Sequence, residues 1–257
     1  MKVVIIAAGY ATRLYPLTLN TPKPLLPIGD STILGLLLRE VKHIPEISEY
    51  VIVSNHKFID QFNAWGATQE WPCKVTVVDD GTETNETRLG AVRDMLLAVE
   101  QRKIEEDILV LAADNLIEFS LADFVAYAQA KHTSCIMFHE EPSIEKLQRT
   151  GVVTLDADSR VLDLQEKPQV PNTHNAVPPF YYYVAQDLPL IRQCIEQGGA
   201  TDAPGNLAQY IYRHSVLHAW HMNGGRVDIG NLETYKRVAK PVQIDILQTV
   251  MCDCKSK

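Results

Sequence analysis

The feature that most constrains this chain is the alternation of short β-branched runs with amphipathic helical patterns through its first half. Lys2–Ala7 is apolar and β-branched and is broken at Gly9. A helical pattern opens near Ser31 and carries Leu34, Leu37, Leu38 and Val41, and Tyr50–Ser54 and Lys74–Val78 then read as strands. Polar residues 79–88 form a loop, Leu89–Gln101 an amphipathic helix, and Asp107–Ala112 a buried strand that ends in Ala113-Asp114-Asn115. Helix Leu121–Ala130 and strand Ser134–Phe138 follow. Such strand–helix alternation predicts a mostly parallel sheet with helices on both faces.

The pattern changes after residue 140. Gly151–Leu155 and Arg160–Gln165 read as a hairpin around Asp156–Ser159, and Phe180–Val184 as a compact aromatic strand. Leu188–Gln197 and Asn206–His214 read as helices, Val216–Trp220 and Gly225–Val227 as strands closing the sheet, and Leu232–Ala239 as a last helix. With no internal repeat, low-complexity segment or linker, one domain over 1–240 with a tail at 241–257 is expected.

Composition narrows the function classes. A formal charge of −8 over 257 residues argues against a nucleic-acid binder that relies on phosphate attraction. Nothing approaches the roughly 18 apolar residues of a membrane span, and Val3–Ala8 is too short for a signal peptide. A cytoplasmic location without membrane attachment is the expectation. The five cysteines (73, 135, 194, 252 and 254) are odd in number and irregularly spaced, so all are expected to be free thiols. His214, His218 and His221 share a region without metal-ligand spacing and read as structural.

Chemistry concentrates where the first strand ends. The run Ala8-Gly9-Tyr10-Ala11-Thr12-Arg13-Leu14 is followed by Thr21-Pro22-Lys23-Pro24-Leu25-Leu26-Pro27. A tight turn after a buried strand points backbone N–H groups at a phosphate, and Arg13 and Lys23 add positive charge. In open α/β sheets ligands sit outside the carboxyl ends of the strands, where this turn must lie. Taken alone, a glycine-containing turn fits a plain strand–helix connection equally well.

The ordered run AAGYATRLYPLTLNTPKPLLP resembles the N-terminal signature of the sugar-nucleotide pyrophosphorylases, a nucleotidyltransferase family of which glucose-1-phosphate thymidylyltransferase is the best-known member. Alanine stands at positions 8 and 11, where the family has glycine; the turn keeps its donors if its dihedrals stay negative. Thr87-Arg88-Leu89-Gly90-Ala91 resembles the segment that faces the base, without an obvious base-reading glutamine. Ala113-Asp114-Asn115, Glu166-Lys167-Pro168 and Val227-Asp228-Ile229-Gly230-Asn231 resemble three further family segments in the right order, so the likeness runs from residue 1 to about 240.

The resemblance implies a single-domain α/β fold: a Rossmann-like, mixed, mostly parallel central sheet with helices on both faces. It implies transfer from a nucleoside triphosphate, dTTP or UTP, to a sugar 1-phosphate. Arg13 and Lys23 take the catalytic roles. Ala8, Gly9, Tyr10, Ala11, Thr12, Leu89 and Gly90 face the nucleotide. Asn115, Gly151, Glu166, Lys167 and Asn175 face the sugar phosphate, and Asp114 and Asp228 hold Mg2+. The nucleophile is already ionised, so catalysis reduces to positioning and charge neutralisation. A monomer or homodimer is expected.

Each residue also has an ordinary reading: Asp114 as a helix cap, Asp228 as a turn residue, Lys23 as a solvated loop charge, Lys167 and Arg13 in structural ion pairs. Pro178 and Pro179 replace a more flexible segment of the family and predict a stiffer acceptor wall, hence an acceptor other than plain glucose 1-phosphate. Asp202, ahead of Pro204, either contacts the sugar or starts a turn. The aromatic stripe at 180–183 reads as sheet packing. Two other readings compete. One is a cytidylyltransferase acting on phosphocholine, which needs an aromatic cage; the other is a non-catalytic nucleotide-binding regulator. A dinucleotide oxidoreductase is disfavoured because no G-x-G-x-x-G follows the first strand.

Overall fold

The computed structural model describes residues 1–68 and 70–239. In chain order the strands and helices are β1 Lys2–Ile6, β2 Pro27–Ile28, β3 Ser31–Thr32, α1 Ile33–Arg39, β4 Glu49–Ser54, α2 Ile59–Ala67, β5 Lys74–Asp79, α3 Ala91–Gln101, β6 Ile108–Ala112, β7 Asn115–Ile117 and α4 Ala122–Lys131. They continue as β8 Ser134–Glu140, α5 Ile144–Leu147, β9 Gly151–Leu155, β10 Val161–Glu166, β11 Asn175–Val177, β12 Phe180–Tyr183, α6 Pro189–Glu196, α7 Pro204–His214, β13 Leu217–His221, β14 Arg226–Asp228 and α8 Leu232–Ala239.

A ten-stranded mixed sheet runs in the order β10-β9-β11-β8-β12-β6-β1-β4-β5, with β13 paired to β8. Its core, β6-β1-β4-β5, is parallel. The antiparallel β12 joins β6 to β8. Alternation along β1 sends Val3 and Ile5 to one face and Val4 to the other, all fully buried. Burying each such side chain contributes about 1.5–3 kcal/mol. Residues of α1, α2 and α4 cover the Val3 face, and residues of α3, α6 and α7 the Val4 face. The fold class is the α/β, mostly parallel, two-faced architecture that the sequence predicts.

This order creates a switch point. From β1 the chain steps through β4 to β5, then α3 crosses on the other face and β6 lands on the far side of β1. Crevices open at such reversals, beyond the carboxyl ends of the strands. The loops after β1 and β6 therefore face a common space.

Three differences from the sequence reading have physical causes. Helix α2 was not expected, because it buries only Phe62 and Trp65 and so shows almost no apolar stripe. It is prepared instead by Asn55, whose Oδ1 accepts from the Phe58 N–H at 3.1 Å. Helix α3 starts at Ala91 rather than Leu89, since Gly90 stands at φ +93°. Most consequential, Arg226–Asp228 does not close the main sheet. It pairs antiparallel with Asn115–Ile117 in a separate two-stranded ribbon, with Asp228 opposite Asn115.

Phe180, Tyr181, Tyr182 and Tyr183 are all at most 3% exposed, which makes the aromatic stripe sheet packing. Cys73, Cys135 and Cys194 are free thiols; Cys252 and Cys254 and the 241–257 tail lie outside the described residues. Among the described residues no helix is long and apolar enough to cross a membrane.

Candidate active site

Two adjoining cavities open at the switch point. The first, about 470 Å³, is lined by the turn after β1 from Ala7 to Leu14, by Lys23, and by Asp80, Asn85, Arg88, Gly90, Asp94, Asp114, Asp202 and Asp228. The second, about 720 Å³, takes in Asn115, Gly151, Glu166, Lys167, Pro179, Tyr181 and Arg226. Asp114 and Asp228 line both.

The turn after β1 is held from behind. Asn55 Nδ2 donates to the Ala8 carbonyl at 2.9 Å, and Thr18 Oγ1 donates to the Ala11 carbonyl at 2.8 Å. The condition that its dihedrals stay negative is not met. Ala11 has φ +48° and ψ +44°, the left-handed region, at a cost of about 1–2 kcal/mol for a residue with a Cβ. A Cβ at Gly9 would meet nothing within 4 Å, so the turn leaves open space on the cavity side. The Tyr10 phenol is hydrogen-bonded to Thr82 Oγ1 at 3.1 Å. Arg13 is exposed at the cavity and among the described residues forms no ion pair.

Lys23 ties the site together. Pro22 and Pro24 fix the chain on either side of it. Its Nζ donates to Asp114 Oδ2 at 2.6 Å and to the Ile229 carbonyl at 3.1 Å. Asp114 follows β6; its other oxygen accepts from Asn115 Nδ2 at 2.7 Å. Asn115 is wholly buried, and its Oδ1 accepts from Arg226 Nη1 at 2.6 Å. Asn115 thus orients Asp114 from the lining of the second cavity. Asp228 keeps solvent access as a residue, yet loss of surrounding water, and secondly the Asp114 charge, raise its carboxyl above the usual range. Lys23, Arg226 and Arg13 pull it back.

Two carboxylates from separate strand ends form an all-oxygen donor pair, the donor type that a hard divalent cation takes. Among the described residues no cluster of three or more metal-ligating side chains exists, so water and ligand oxygens would complete such a site.

The remaining candidates divide. Gly90 lines the first cavity and Leu89 does not. A Cβ on Gly90 would stand 2.6 Å from the Thr201 carbonyl oxygen, so glycine is required there. That contact brings residues 201–202 over the start of α3, where Ala91 and Val92 donate to the Asp202 and Thr201 carbonyls at 3.3 and 3.0 Å. Asp202 lines the first cavity, not the second, and accepts from Arg88 Nη2 at 3.0 Å.

In the second cavity Gly151, Glu166 and Lys167 converge. Glu166 packs on the start of α7, where a Cβ on Gly205 would come within 1.9 Å of its Oε2. Burial raises the Glu166 carboxyl, and Lys167 opposes the shift. Lys167 is half-exposed with Nζ 3.9 Å from Glu166. Asn175 does not join them: it lies outside the lining, and its amide donates to the Val153 carbonyl at 3.4 Å. Pro179 lines the wall and its carbonyl accepts from the Ala112 N–H at 3.2 Å, while Pro178 stands behind.

Sequence reasoning missed Arg226, Asp80 and Asp94. Arg226 was signalled by its place two residues before Asp228, but its partner Asn115 is 111 residues away.

A model of the nucleotidyl transferase family matches residues 2–243. A bifunctional protein GlmU from Methanococcus vannielii is 31% identical over 169 residues, 65% of this chain and 36% of that protein. The GlmU of Methanocaldococcus jannaschii is 25% identical over 253 residues, 96% of this chain and 56% of that protein. The low-salt glycan biosynthesis nucleotidyltransferase Agl11 of Haloferax volcanii is 24% identical over 88% of this chain and 63% of that protein. The chain thus spans less than two thirds of the length of each of these relatives.

Among solved structures, UDP-glucose pyrophosphorylase complexed with UDP-glucose superposes with a TM-score of 0.78 at 18% identity, covering 93% of this chain and 96% of that one. A Bacillus anthracis protein assigned as a glucose-1-phosphate thymidylyltransferase, solved with a sucrose, gives 0.77 at 21%, covering 93% and 94%. At these identities the likeness speaks to the fold. The match across nearly the whole described chain, joined to the ordered motifs and their convergence on one crevice, decides the family: the chain belongs to the nucleotidyl transferases.

Proposed function

We propose that the chain transfers a nucleotidyl group from a nucleoside triphosphate to a sugar 1-phosphate and releases pyrophosphate. The observation that carries this reading is that Asp114 and Asp228 stand where two cavities meet, with Lys23 bonded to one of them. The first cavity takes the triphosphate on the turn from Ala8 to Arg13. The second takes the sugar phosphate beside Lys167 and Arg226. An oxygen of the sugar phosphate attacks the α-phosphorus, the bond to the β-phosphate breaks, and pyrophosphate leaves with the electron pair. Lys23 and Arg13 neutralise the charge that builds on the transferring and leaving groups. Asp114 and Asp228 would hold Mg2+, which supplies further neutralisation and aligns the phosphates. Asn115 and Arg226 hold Asp114 in position.

The same reading takes residues 1–240 as one catalytic domain, acting in the cytoplasm as a monomer or homodimer without nucleic acid. The phosphocholine alternative loses support in the second cavity: among the described residues its lining holds one phenol, Tyr181, and no other Phe, Tyr or Trp that would make a cage. The preference for thymine or uracil rests on family resemblance alone.

The test is pyrophosphate release from five triphosphates against several sugar 1-phosphates and phosphocholine, with Mg2+ and with EDTA. Metal-dependent release with a sugar phosphate is expected. Release with phosphocholine only, or none despite triphosphate binding, would overturn the reading.

A further inference from the structure

The far end of the first cavity carries two acidic groups that the chemistry above leaves unused. Asp80 follows β5, and β5 is separated from β6 by β4 and β1. At the usual strand spacing this places it roughly 14 Å across the sheet from the Asp114 loop. One oxygen of Asp80 accepts from the Thr82 N–H at 2.7 Å; the other, Oδ2, is buried without a hydrogen-bond partner. Asp94, in the first turn of α3, is only 4% exposed, and its Oδ1 is likewise buried and unpartnered. Both line the cavity. Burial, and secondly the charge of Asp80, push the Asp94 carboxyl up to about 7.

An unpartnered buried carboxylate oxygen is costly to keep, and here two of them edge one cavity. Above about pH 7 Asp94 is ionised, and an ionised carboxylate accepts and does not donate. Nearby cationic help is already engaged, since Arg88 is bonded to Asp202 and to the Asn85 carbonyl. A group that enters this end gains most if it brings hydrogen-bond donors, and on a base those are N–H groups. Uracil and thymine bring one ring N–H flanked by two carbonyl oxygens, which would face the carboxylates acceptor to acceptor. Adenine, cytosine and guanine each bring an exocyclic amine. The negative charge also orients a nucleotide, keeping its phosphates at the Lys23 end.

We infer that Asp80 and Asp94 read the base, and that the triphosphate taken by this cavity carries an amino-bearing base rather than uracil or thymine. The inference rests on the nucleotidyl-transfer reading and replaces the base that family resemblance implies.

The experiment is calorimetric binding of ATP, CTP, GTP, UTP, dTTP and inorganic tripolyphosphate to the full chain with Mg2+, repeated with Asp80→Asn and Asp94→Asn and paired with pyrophosphate release. One amino-bearing triphosphate should bind at least about tenfold tighter than UTP and dTTP. Each carboxamide should shrink that ratio several-fold and leave tripolyphosphate affinity unchanged, which a merely structural role would not do. If Asp94→Asn does not fold, Asp80→Asn reads the same ratio. Preferred binding and turnover of UTP or dTTP would overturn the base assignment and leave nucleotidyl transfer standing, as would a ratio unmoved in the folded variants. Failure of every triphosphate and of tripolyphosphate to bind would sink both.

Discussion

Asp228 lies directly opposite Asn115 in the antiparallel pairing of β14 with β7, and Asn115 in turn donates to Asp114 at 2.7 Å. A two-stranded ribbon of three residues a side thus sets the spacing of two carboxylates that are 114 positions apart in the chain. Replacing Asn115 by Leu removes the donor to Asp114 and the acceptor for Arg226. Activity should fall by about 10–100-fold, with more Mg2+ needed to reach half-maximal rate. Rates titrated against Mg2+ read this directly, and an unchanged titration would show that the ribbon backbone alone does the positioning.

Lys23→Met leaves the buried stem length intact and deletes the charge. A loss of about 10²–10³-fold in kcat is expected, with the circular dichroism spectrum unchanged. A loss of only two- or threefold would return Lys23 to the status of a structural partner of Asp114.

Gly205→Ala places a methyl group against the Glu166 carboxylate. Glu166 must move, at a cost of about 1–3 kcal/mol in stability. Because Gly205 lines the second cavity and not the first, the KM for the sugar phosphate should rise while triphosphate affinity holds. Parallel loss of both affinities would contradict the division of the site into two cavities.

Asp94 should make stability depend on pH in a particular direction. Its folded pKa, about 7, lies above its ordinary value of 3.8. Between these values the folded state binds more protons than the unfolded one, so stability falls as pH rises through that window. Below it the group is neutral in both states and contributes nothing. Asp94→Asn removes the fall, so the gain in melting temperature should be larger at pH 8 than at pH 4. An equal shift at both pH values would show that the carboxyl ionises freely.

Ala11→Gly should relieve the left-handed backbone, partly offset by the extra freedom of glycine in the unfolded chain. A net gain of about 0.5–1 kcal/mol is expected, or about 1–3 °C in melting temperature. A fall would show that the extra freedom of glycine in the unfolded chain outweighs the strain relieved.

Much of this was legible in the sequence, for reasons that can be named. The strands β1, β4 and β6 are runs of Val, Ile and Leu buried on both faces, so they announce themselves by composition. Lys23 and Asp114 sit in ordered motifs. What stayed hidden depends on contacts between distant positions. Nothing local says that Arg226–Asp228 leaves the main sheet to pair with Asn115–Ile117, because a three-residue strand carries no preference for a partner. Asp94 sits in an amphipathic helix where an acid in the first turn is unremarked; only the fold shows that it points into a cavity. Asn175 has the residue type for a sugar contact, but its amide is turned to the Val153 carbonyl.

The segment from Thr201 to Gly205 closes over the start of α3, with Asp202 in the first cavity, Ala203 and Gly205 in the second, and Pro204 in both. It is a party wall. An occupant of either cavity therefore meets the same short stretch of backbone. By reciprocity, whatever factor the nucleotide contributes to the acceptor's affinity, the acceptor returns to the nucleotide.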